Sequence, residues 1–284
     1  KSIEKEYLFK LNNNSFFNTS TNKNDIVLYN NMNEATSKML KEMLNAKESI
    51  NVNFFIFKSC SAFGEKVMDV LCKKAKEGIK VKLTYDRLGA LNTKKSHFKT
   101  LKSLNGEVYA HLPSIVKTIF QVNYRTHRKM VIIDGDIAYT GGMNIGDEYL
   151  NLSDKIYPWR DTFARITGES VMFIQSRFLL DFIYLKKQAL KRKYKLKDIK
   201  QDIKGMFKYS EVNNDMKVQL VYNGPDTVNS HIKDGYTKMI CEAKKTLYIA
   251  TPYFIPDEAM LEALRLSIKS GVDVRLIVPG IPDK

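Results

Sequence analysis

The chain has 284 residues, of which 44% are hydrophobic and 11% aromatic, so it can bury a sizeable core, and disorder is excluded. Its formal net charge of +15 favours an anionic partner: nucleic acid, an acidic membrane surface or a phosphorylated substrate. Charge alone does not choose among these classes. Three cysteines at scattered positions form neither a zinc pattern nor a disulfide framework, which favours a reducing compartment.

The N-terminal part of the sequence predicts one β-α-β unit with a helix before it. Residues 1–24 are polar and rich in Asn, Ser and Thr, and they are predicted to form a loose lead-in. Apolar spacing then predicts a helix over 34–47, a strand over 49–57, a helix over about 63–77 and a strand over 79–86. Gly78 stands where the C-terminus of the second helix needs a glycine.

The same order of elements is predicted near the end of the chain: a helix over 230–244, a strand over 246–255, a helix over 257–270 and a strand over 272–279. The two stretches align at both helix-to-strand junctions: Ala46-Lys47 falls on Ala243-Lys244, and Gly78 falls on Gly271. A chance match of two β-α-β units is the alternative, because the motif is common. The shared junction residues favour a duplication, and hence two related halves.

A strongly basic stretch lies between the two repeats. Residues 186–208 contain ten Lys or Arg against two Asp. The stretch can be a solvated helix or linker between the halves, or a surface that rests on anionic lipid headgroups. The predicted division is a first domain over 25–185, a basic linker over 186–210 and the start of a second domain over 211–284.

The segment THRKMVIIDGDIAYTGGMNIGDEY, residues 126–149, predicts a β-hairpin with an Asp-Gly turn. His127 and Lys129 are two residues apart, so on a strand their side chains share a face. Continued alternation puts Asp134 on the opposite face, at the turn, where it braces the hairpin.

These residue types together are suited to binding a phosphodiester group and attacking its phosphorus. A neutral imidazole at His127 can attack phosphorus, and Lys129 can hold the non-bridging oxygens. Gly141 and Gly142 let backbone amides approach a ligand, and Asn144 adds a side-chain donor. No metal is needed, and the sequence offers no carboxylate cluster for one. The alternative is an exposed His and Lys on an ordinary hairpin.

The full string H-x-K-x4-D-x6-G-G-x-N resembles the signature of the phospholipase D superfamily. His231-Ile232-Lys233 is also HxK, but it lacks the later positions and lies in a predicted helix. The flanks NYRTHRKMVIIDG, GGMNIGDEYL, PWRDTFARI, NGPD, TPYFIPDEAM and GVDVRLIVPGIPDK are similar to bacterial cardiolipin synthases. This resemblance implies a phospholipase D-like α/β fold, a mixed β-sheet flanked by helices, with two related halves of which the second is incomplete here.

The resemblance also implies an activity and partners. A histidine attacks the phosphate of one phosphatidylglycerol and releases glycerol, and a second phosphatidylglycerol then displaces the phosphatidyl-histidine to give cardiolipin. It implies His127, Lys129 and Asp134 as the catalytic set, and a later carboxylate, Asp161, that orients the histidine. The competing interpretation is that Asp161 pairs with a basic side chain. No cofactor, metal or nucleic acid is expected, and the partner is the anionic phospholipid of a bacterial cell membrane, contacted from the cytoplasmic side.

The family uses two HxK motifs, one as nucleophile and one as general acid. By the internal repeat a second motif would fall roughly 50 residues after Gly271, past Lys284. The sequence is therefore expected to be a fragment of a longer enzyme, with membrane-anchoring segments elsewhere, or to act as a symmetric homodimer. Two rival functions remain: a phospholipase D-type phosphodiesterase or nuclease, and an inactive module that binds anionic lipid.

Overall fold

The computed structural model describes residues 20–90, 93, 95–111, 125–153, 158–208, 210–224, 227 and 230–280. Most of the expected lead-in, residues 1–19, lies outside this part. The chain divides into two units, one of Thr21–Val218 and one that contains Gln219–Lys284. Two-residue strands, Ser20–Thr21 and Val218–Gln219, lie at this division. Within the described ranges, no helix is long and apolar enough to cross a membrane.

The first unit is built on a mixed sheet whose strands are β1 (Asn24–Tyr29), β2 (Ser49–Phe54), β3 (Lys80–Asp86), β4 (Glu107–His111), β5 (Met130–Ile133), β6 (Ile137–Gly141) and β7 (Phe163–Gly168). Their order across the sheet is β1-β7-β6-β5-β2-β3-β4. The strands β2, β3 and β4 run parallel, and the other neighbours pair antiparallel. The strand that follows the HxK motif, β5, therefore lies in the middle of the sheet beside β2.

Helices cover both faces of this sheet: α1 (Met32–Leu44), α2 (Ala62–Lys76), α3 (Lys95–Ser103), α4 (Ser170–Leu190) and α5 (Leu196–Ile203). Alternation along β2 separates the faces, because Ile50 and Val52 enter the main core with residues of α1 and α2. Asn51, between them, points to α4, where its amide donates to Gln175 at 3.1 Å. The expected α/β fold, a mixed sheet flanked by helices, is confirmed.

The second unit repeats the first β-α-β arrangement with α6 (His231–Glu242), β8 (Thr246–Ala250), α7 (Glu258–Lys269) and β9 (Asp273–Ile277). Its two strands pair in parallel with Thr246 opposite Asp273. In the first unit, β2 and β3 pair with Ser49 opposite Lys80. The sequence alignment of the repeats equates these two pairs, so the duplication extends to the strand register.

The junction between helix and strand is also the same in both units. Gly78 ends α2 with φ +86°, and Gly271 ends the α7 segment with φ +87°. Both positions are in the left-handed region, where glycine avoids the penalty that a side chain incurs. The following backbone bonds match too, because Lys80 N–H donates to Glu48 O at 3.1 Å and Asp273 N–H donates to Lys245 O at 2.8 Å. The duplicated junction predicted from the sequence is confirmed.

The described residues between 186 and 210 are part of the first unit, and the division between the units falls after Val218, whereas a linker over 186–210 was expected. Lys186 lies within α4, and the carboxylate of Asp202 in α5 accepts bonds from Lys186 and Lys82, both at 3.0 Å. Tyr194 donates to the same carboxylate at 2.6 Å. The composition of the stretch did not predict these contacts with the first unit, because only a few residues of a basic stretch face inward while the others remain in water.

Candidate active site

The HxK residues lie immediately before β5, at one end of the central pair of strands. Asn53 of β2 pairs with Met130 of β5 in the antiparallel register. Residues that precede Met130 therefore meet the chain that leaves the C-terminal end of β2. The hairpin of β5 and β6, which the Asp-Gly turn predicted, is present, and Ile133 pairs with Ile137.

The ring of Phe55, the residue after β2, brings the basic groups of the site together. The imidazole of His127 lies 4.8 Å from the Phe55 ring, centroid to centroid. The Lys129 ammonium lies 5.6 Å from the same centroid, and the Arg125 guanidinium carbon lies 4.7 Å from it. Arg125, His127 and Lys129 are called the basic cluster below.

Lys129 is the buried member of the basic cluster, with 4% of its surface exposed. Its ammonium donates to the carbonyl oxygen of His127 at 2.7 Å. Burial lowers the pKa of Lys129 from 10.5 to about 8, and the charge of Asp161 acts in the opposite direction. The ammonium is therefore still charged at neutral pH but has little water around it, so its attraction for an incoming anion is strong.

His127 is the exposed member of the cluster. Partial desolvation lowers the pKa of its imidazole, the charges of Lys129 and Arg125 lower it further, and Asp86 opposes them. The neutral form, which carries the free electron pair, is favoured as a result. A neutral imidazole beside fixed cations is suited to nucleophilic attack on an anionic phosphodiester.

Asp134 lies at the other end of β5, away from the basic cluster. Its carboxylate accepts bonds from the backbone N–H groups of Lys47, Glu48 and Ser49 at 2.9, 2.7 and 2.9 Å. It adopts φ +54°, a left-handed conformation that Asp tolerates at a turn. This geometry agrees with a brace for the hairpin, and it does not bring the carboxylate to His127.

Gly142 provides room for Asp161. A Cβ atom at position 142 would overlap the Asp161 carboxylate, and a Cβ at Gly141 would overlap the carbonyl oxygen of Thr162. The Gly142 N–H donates to that carbonyl at 3.2 Å, so it is not directed at a ligand as the sequence suggested. The two glycines here serve close packing of β6 on the segment before β7.

Asp161 is held beside the cluster without a bond to His127 among the residues that the structure describes. Its carboxylate accepts from the Thr162 N–H at 2.7 Å and from the Trp159 indole N–H at 3.5 Å. Its charge acts on Lys129. The neighbouring Arg160 instead donates to Thr162 and to Asn30, at 3.3 and 3.1 Å. The structure therefore brings Asp161 to the lysine of the motif.

Asn144 supports the segment that carries Phe55. Its side chain is buried, its amide oxygen accepts from the Ile56 N–H at 3.0 Å, and its amide nitrogen donates to the Tyr149 hydroxyl at 3.0 Å. These bonds join two loops internally, and the expected role as a ligand donor stays a prediction. Sequence alone could not separate these roles, because the same amide serves both.

The second HxK triplet lies in the second unit. His231 is the first residue of α6, and Lys233 forms an ion pair with Asp257. The helix setting predicted for it is confirmed. Three residues of the actual site were missed by sequence reasoning: Phe55, Asp86 and Arg125. One signal was present, since Asp86 and Phe55 lie at the C-terminal ends of parallel strands, where ligands commonly bind in open sheets.

The fold and the HxK cluster define a phospholipase D-like protein. Among solved structures, the chain is similar to phosphatidylserine synthase of Haemophilus influenzae Rd KW20, with TM-score 0.66 and 16% identity over 97% of this chain and 66% of that one. Polyphosphate kinase of Porphyromonas gingivalis also matches, with TM-score 0.54 and 13% identity over 91% of this chain and 38% of that one. Identities this low establish the shared fold alone.

Sequence comparison specifies the family. The model of the cardiolipin synthase, phospholipase D-like domain matches residues 39–157 and 236–284, and the chain belongs to this family. It is 42% identical to a cardiolipin synthase of Clostridium perfringens over 99% of this chain, and 41% identical to one of Listeria monocytogenes over 93%. The chain spans 58% and 53% of the lengths of these two curated relatives.

Proposed function

We propose that the protein carrying this chain is a phosphatidyltransferase that condenses two phosphatidylglycerol molecules into cardiolipin and glycerol. The observation that carries the proposal is the basic cluster, in which an imidazole with a lowered pKa and a buried ammonium lie against one aromatic ring. The site falls within a chain about 42% identical to curated cardiolipin synthases over nearly its whole length. The cluster alone would also serve another phosphodiester, so the identity supplies the substrate class.

In the proposed reaction, the imidazole of His127 attacks the phosphorus of the first phosphatidylglycerol. The bond from phosphorus to the glycerol oxygen breaks, and a general acid protonates the departing oxygen. A second HxK histidine, from a further segment or from a second copy of the chain, is assigned this acid role. The free hydroxyl of a second phosphatidylglycerol then attacks the phosphatidyl-histidine and releases the imidazole, after its proton passes to the same acid-base group. The roles of the two histidines can also be exchanged.

The other residues of the motif have supporting roles in this proposal. Lys129 holds the non-bridging oxygens and the charge that builds on them in the transition state. Asp161 stabilises the charged form of Lys129, a role that follows from its electrostatic effect on that lysine. Asp134 and Asn144 keep the hairpin and the Phe55 segment in place. No step of this reaction requires a metal or a cofactor.

An anionic membrane surface is the partner that the charge distribution favours. The residues around the end of α4 expose basic and apolar side chains together, and the basic ones, called the basic surface here, are Lys187, Lys191, Arg192, Lys193, Lys195 and Lys197. Tyr184 and Leu196 on the same segment are 60% and 66% exposed. Basic side chains around apolar ones suit the headgroup region of an acidic bilayer. On this proposal, the protein works at the cytoplasmic side of a bacterial membrane.

The two HxK triplets give a matched test of the activity. The natural gene product that contains this sequence is expressed in membranes that lack cardiolipin and supplied with labelled phosphatidylglycerol. We expect labelled cardiolipin from the unchanged protein and from Lys233→Gln, and at least a 1000-fold loss in His127→Gln and Lys129→Gln. Labelled phosphatidic acid without cardiolipin would identify a hydrolase, and cleavage of added DNA without cardiolipin would identify a nuclease. Vesicle binding without turnover would identify an inactive lipid-binding module.

A further inference from the structure

Arg125, two residues before His127, is fixed on two sides. Its Nε donates to one oxygen of the Asp86 carboxylate at 3.2 Å, and its Nη2 donates to the other at 2.6 Å. Its guanidinium lies over the ring of Phe55. Fork-to-fork pairing and stacking on an aromatic ring are contacts that a guanidinium makes and an ammonium does not. The orientation of Arg125 is therefore set by the fold.

Asp86 is itself held in place for this contact. It ends β3, is 1% exposed, and accepts bonds from the backbone N–H groups of Leu88 and Gly89 at 3.0 and 3.1 Å. The loop that contains these amides presses on the segment after β2, because a Cβ at Gly89 would overlap the carbonyl oxygen of Phe55. One buried carboxylate thus joins a strand end, a loop and the guanidinium of Arg125.

The remaining edge of Arg125 is available to a ligand. Its side chain is 24% exposed, and its Nη1 has no partner among the residues that the structure describes. Arg128, between His127 and Lys129, points instead to Asp181 of α4, at 3.0 Å. The groups gathered at the Phe55 ring are thus all basic, with Asp86 behind Arg125 and Asp161 beside Lys129.

We propose that Arg125 binds the non-bridging oxygens of the substrate phosphate together with Lys129, and that Asp86 is the residue that positions it. The proposal rests on the proposed phosphodiester chemistry and adds a specific ligand group to it. Arg125 presents a fixed, outward guanidinium edge 4.7 Å from the ring that His127 also contacts. A second cation spreads the developing negative charge of the phosphorane-like transition state over two donors.

The charges of the pair act on His127 in opposite directions, so the pKa of His127 reports whether Arg125 is held at the ring. Arg125 and Lys129 lower the pKa of His127, and Asp86 raises it. Loss of the guanidinium charge should therefore raise the pKa of His127. Loss of the Asp86 carboxylate should release Arg125 from the ring, so that a further loss of Arg125 then changes the pKa of His127 little.

The first test is a nuclear magnetic resonance titration of the chain with isotope-labelled histidine. The sequence has four histidines, and the His127 signal is assigned by its loss in His127→Gln. We expect the His127 pKa to rise in Arg125→Gln, with Arg265→Gln unchanged as the charge-matched control, and we expect Arg125→Gln to cause a much smaller rise when Asp86→Asn is already present. An equal rise with and without Asp86→Asn would overturn the positioning role of Asp86. Far-ultraviolet circular dichroism confirms that each variant is folded.

The second test measures binding of glycerophosphoglycerol, the water-soluble headgroup of phosphatidylglycerol, to the same proteins. We expect Arg125→Gln to weaken binding about tenfold or more, Arg125→Lys to recover part of it, and Arg265→Gln to match the unchanged chain. Equal binding by Arg125→Gln, or none by the unchanged chain, would overturn the phosphate-binding role. If binding depends on Arg125 but no cardiolipin forms in the membrane assay, the proposed function fails while this inference stands.

Discussion

Lys129 carries a charge at a position where burial disfavours it. Its pKa of about 8 lies below the ordinary value of 10.5, and desolvation is the largest cause. A shift of this size corresponds to roughly 3 kcal/mol of unfavourable free energy for the charged form in the folded protein. The bond to the His127 carbonyl offsets part of it. The buried charge lowers the stability of the folded chain and places a poorly solvated cation beside the imidazole, as is common at active sites.

Replacement of Lys129 by methionine should therefore stabilise the chain. We expect Lys129→Met to raise the free energy of unfolding by about 1–2 kcal/mol at pH 7, because the buried charge is removed and the volume is kept. The unfolded lysine binds a proton up to pH 10.5 and the folded one only up to about 8, so the unchanged chain gains stability between these values and the advantage of the variant shrinks. Urea unfolding at pH 7 and pH 10 measures both. A less stable variant at pH 7 would contradict the argument.

At the scale of elements, the hairpin of β5 and β6 is tied to the start of β2 through one carboxylate. The Asp134 carboxylate accepts bonds from three backbone N–H groups, two in the turn between α1 and β2 and one at the first residue of β2. The acid of the family motif is thus a connection between elements at the far end of the strand from His127. It supports the site by keeping β5 in its register with β2.

Asp134→Asn should consequently reduce stability and leave the chemistry of the folded fraction unchanged. One oxygen of the carboxylate becomes an NH2 group that cannot accept, so at least one backbone donor loses its partner. We expect a loss of about 2 kcal/mol in the free energy of unfolding, and less than about 0.5 kcal/mol for the matched control Asp136→Asn. Chemical denaturation measures the difference. Equal stability together with lost activity per folded molecule would instead assign Asp134 a direct catalytic role.

The sequence predicted the features that depend on local patterns, namely the order of elements in the two β-α-β units, the hairpin, and the alignment of the two repeats. Apolar periodicity and turn residues specify these within a few positions. It did not predict the contacts of Phe55 and Asp86, which lie 72 and 41 residues before His127 in the chain. A ring contact and an ion pair over such separations depend on how the strands are ordered, and no local pattern records that. The internal bonds of Asn144 were not predicted either, because burial decides what an amide binds.

At the scale of the whole chain, the basic residues behind the net charge of +15 have different environments. Some basic residues are neutralised inside the first unit, as Lys82 and Lys186 are by Glu107 and Asp202. These pairs lie towards the starts of β3 and β4, while the HxK residues lie at the opposite ends of the strands. The basic surface that follows Lys186 is therefore separate from the basic cluster, and its charges are open to water.

Binding to anionic vesicles should depend on this surface more than on total charge. A triple Lys191→Gln, Arg192→Gln, Lys193→Gln variant should bind vesicles of phosphatidylglycerol and phosphatidylcholine about 100-fold more weakly, at about 1 kcal/mol per basic residue. The control removes three exposed charges from α2, with Lys66, Lys73 and Lys76 each changed to Gln. Cosedimentation at low and physiological salt measures both. Equal losses in the two triple variants would show diffuse attraction without a docking surface.

The position of β5 in the sheet has a consequence for how the protein is made. Residues 49–111 emerge from the ribosome before β5 and can pair as the parallel strands β2, β3 and β4. The edge of β2 that later pairs with β5 is then unpaired. Only when β5 arrives, 81 residues after the start of β2 (Met130 against Ser49), is that edge closed and the HxK residues brought to Phe55. Assembly of the basic cluster is thus coupled to closure of an exposed strand edge, and a nascent chain that stalls before β5 presents a template for intermolecular pairing.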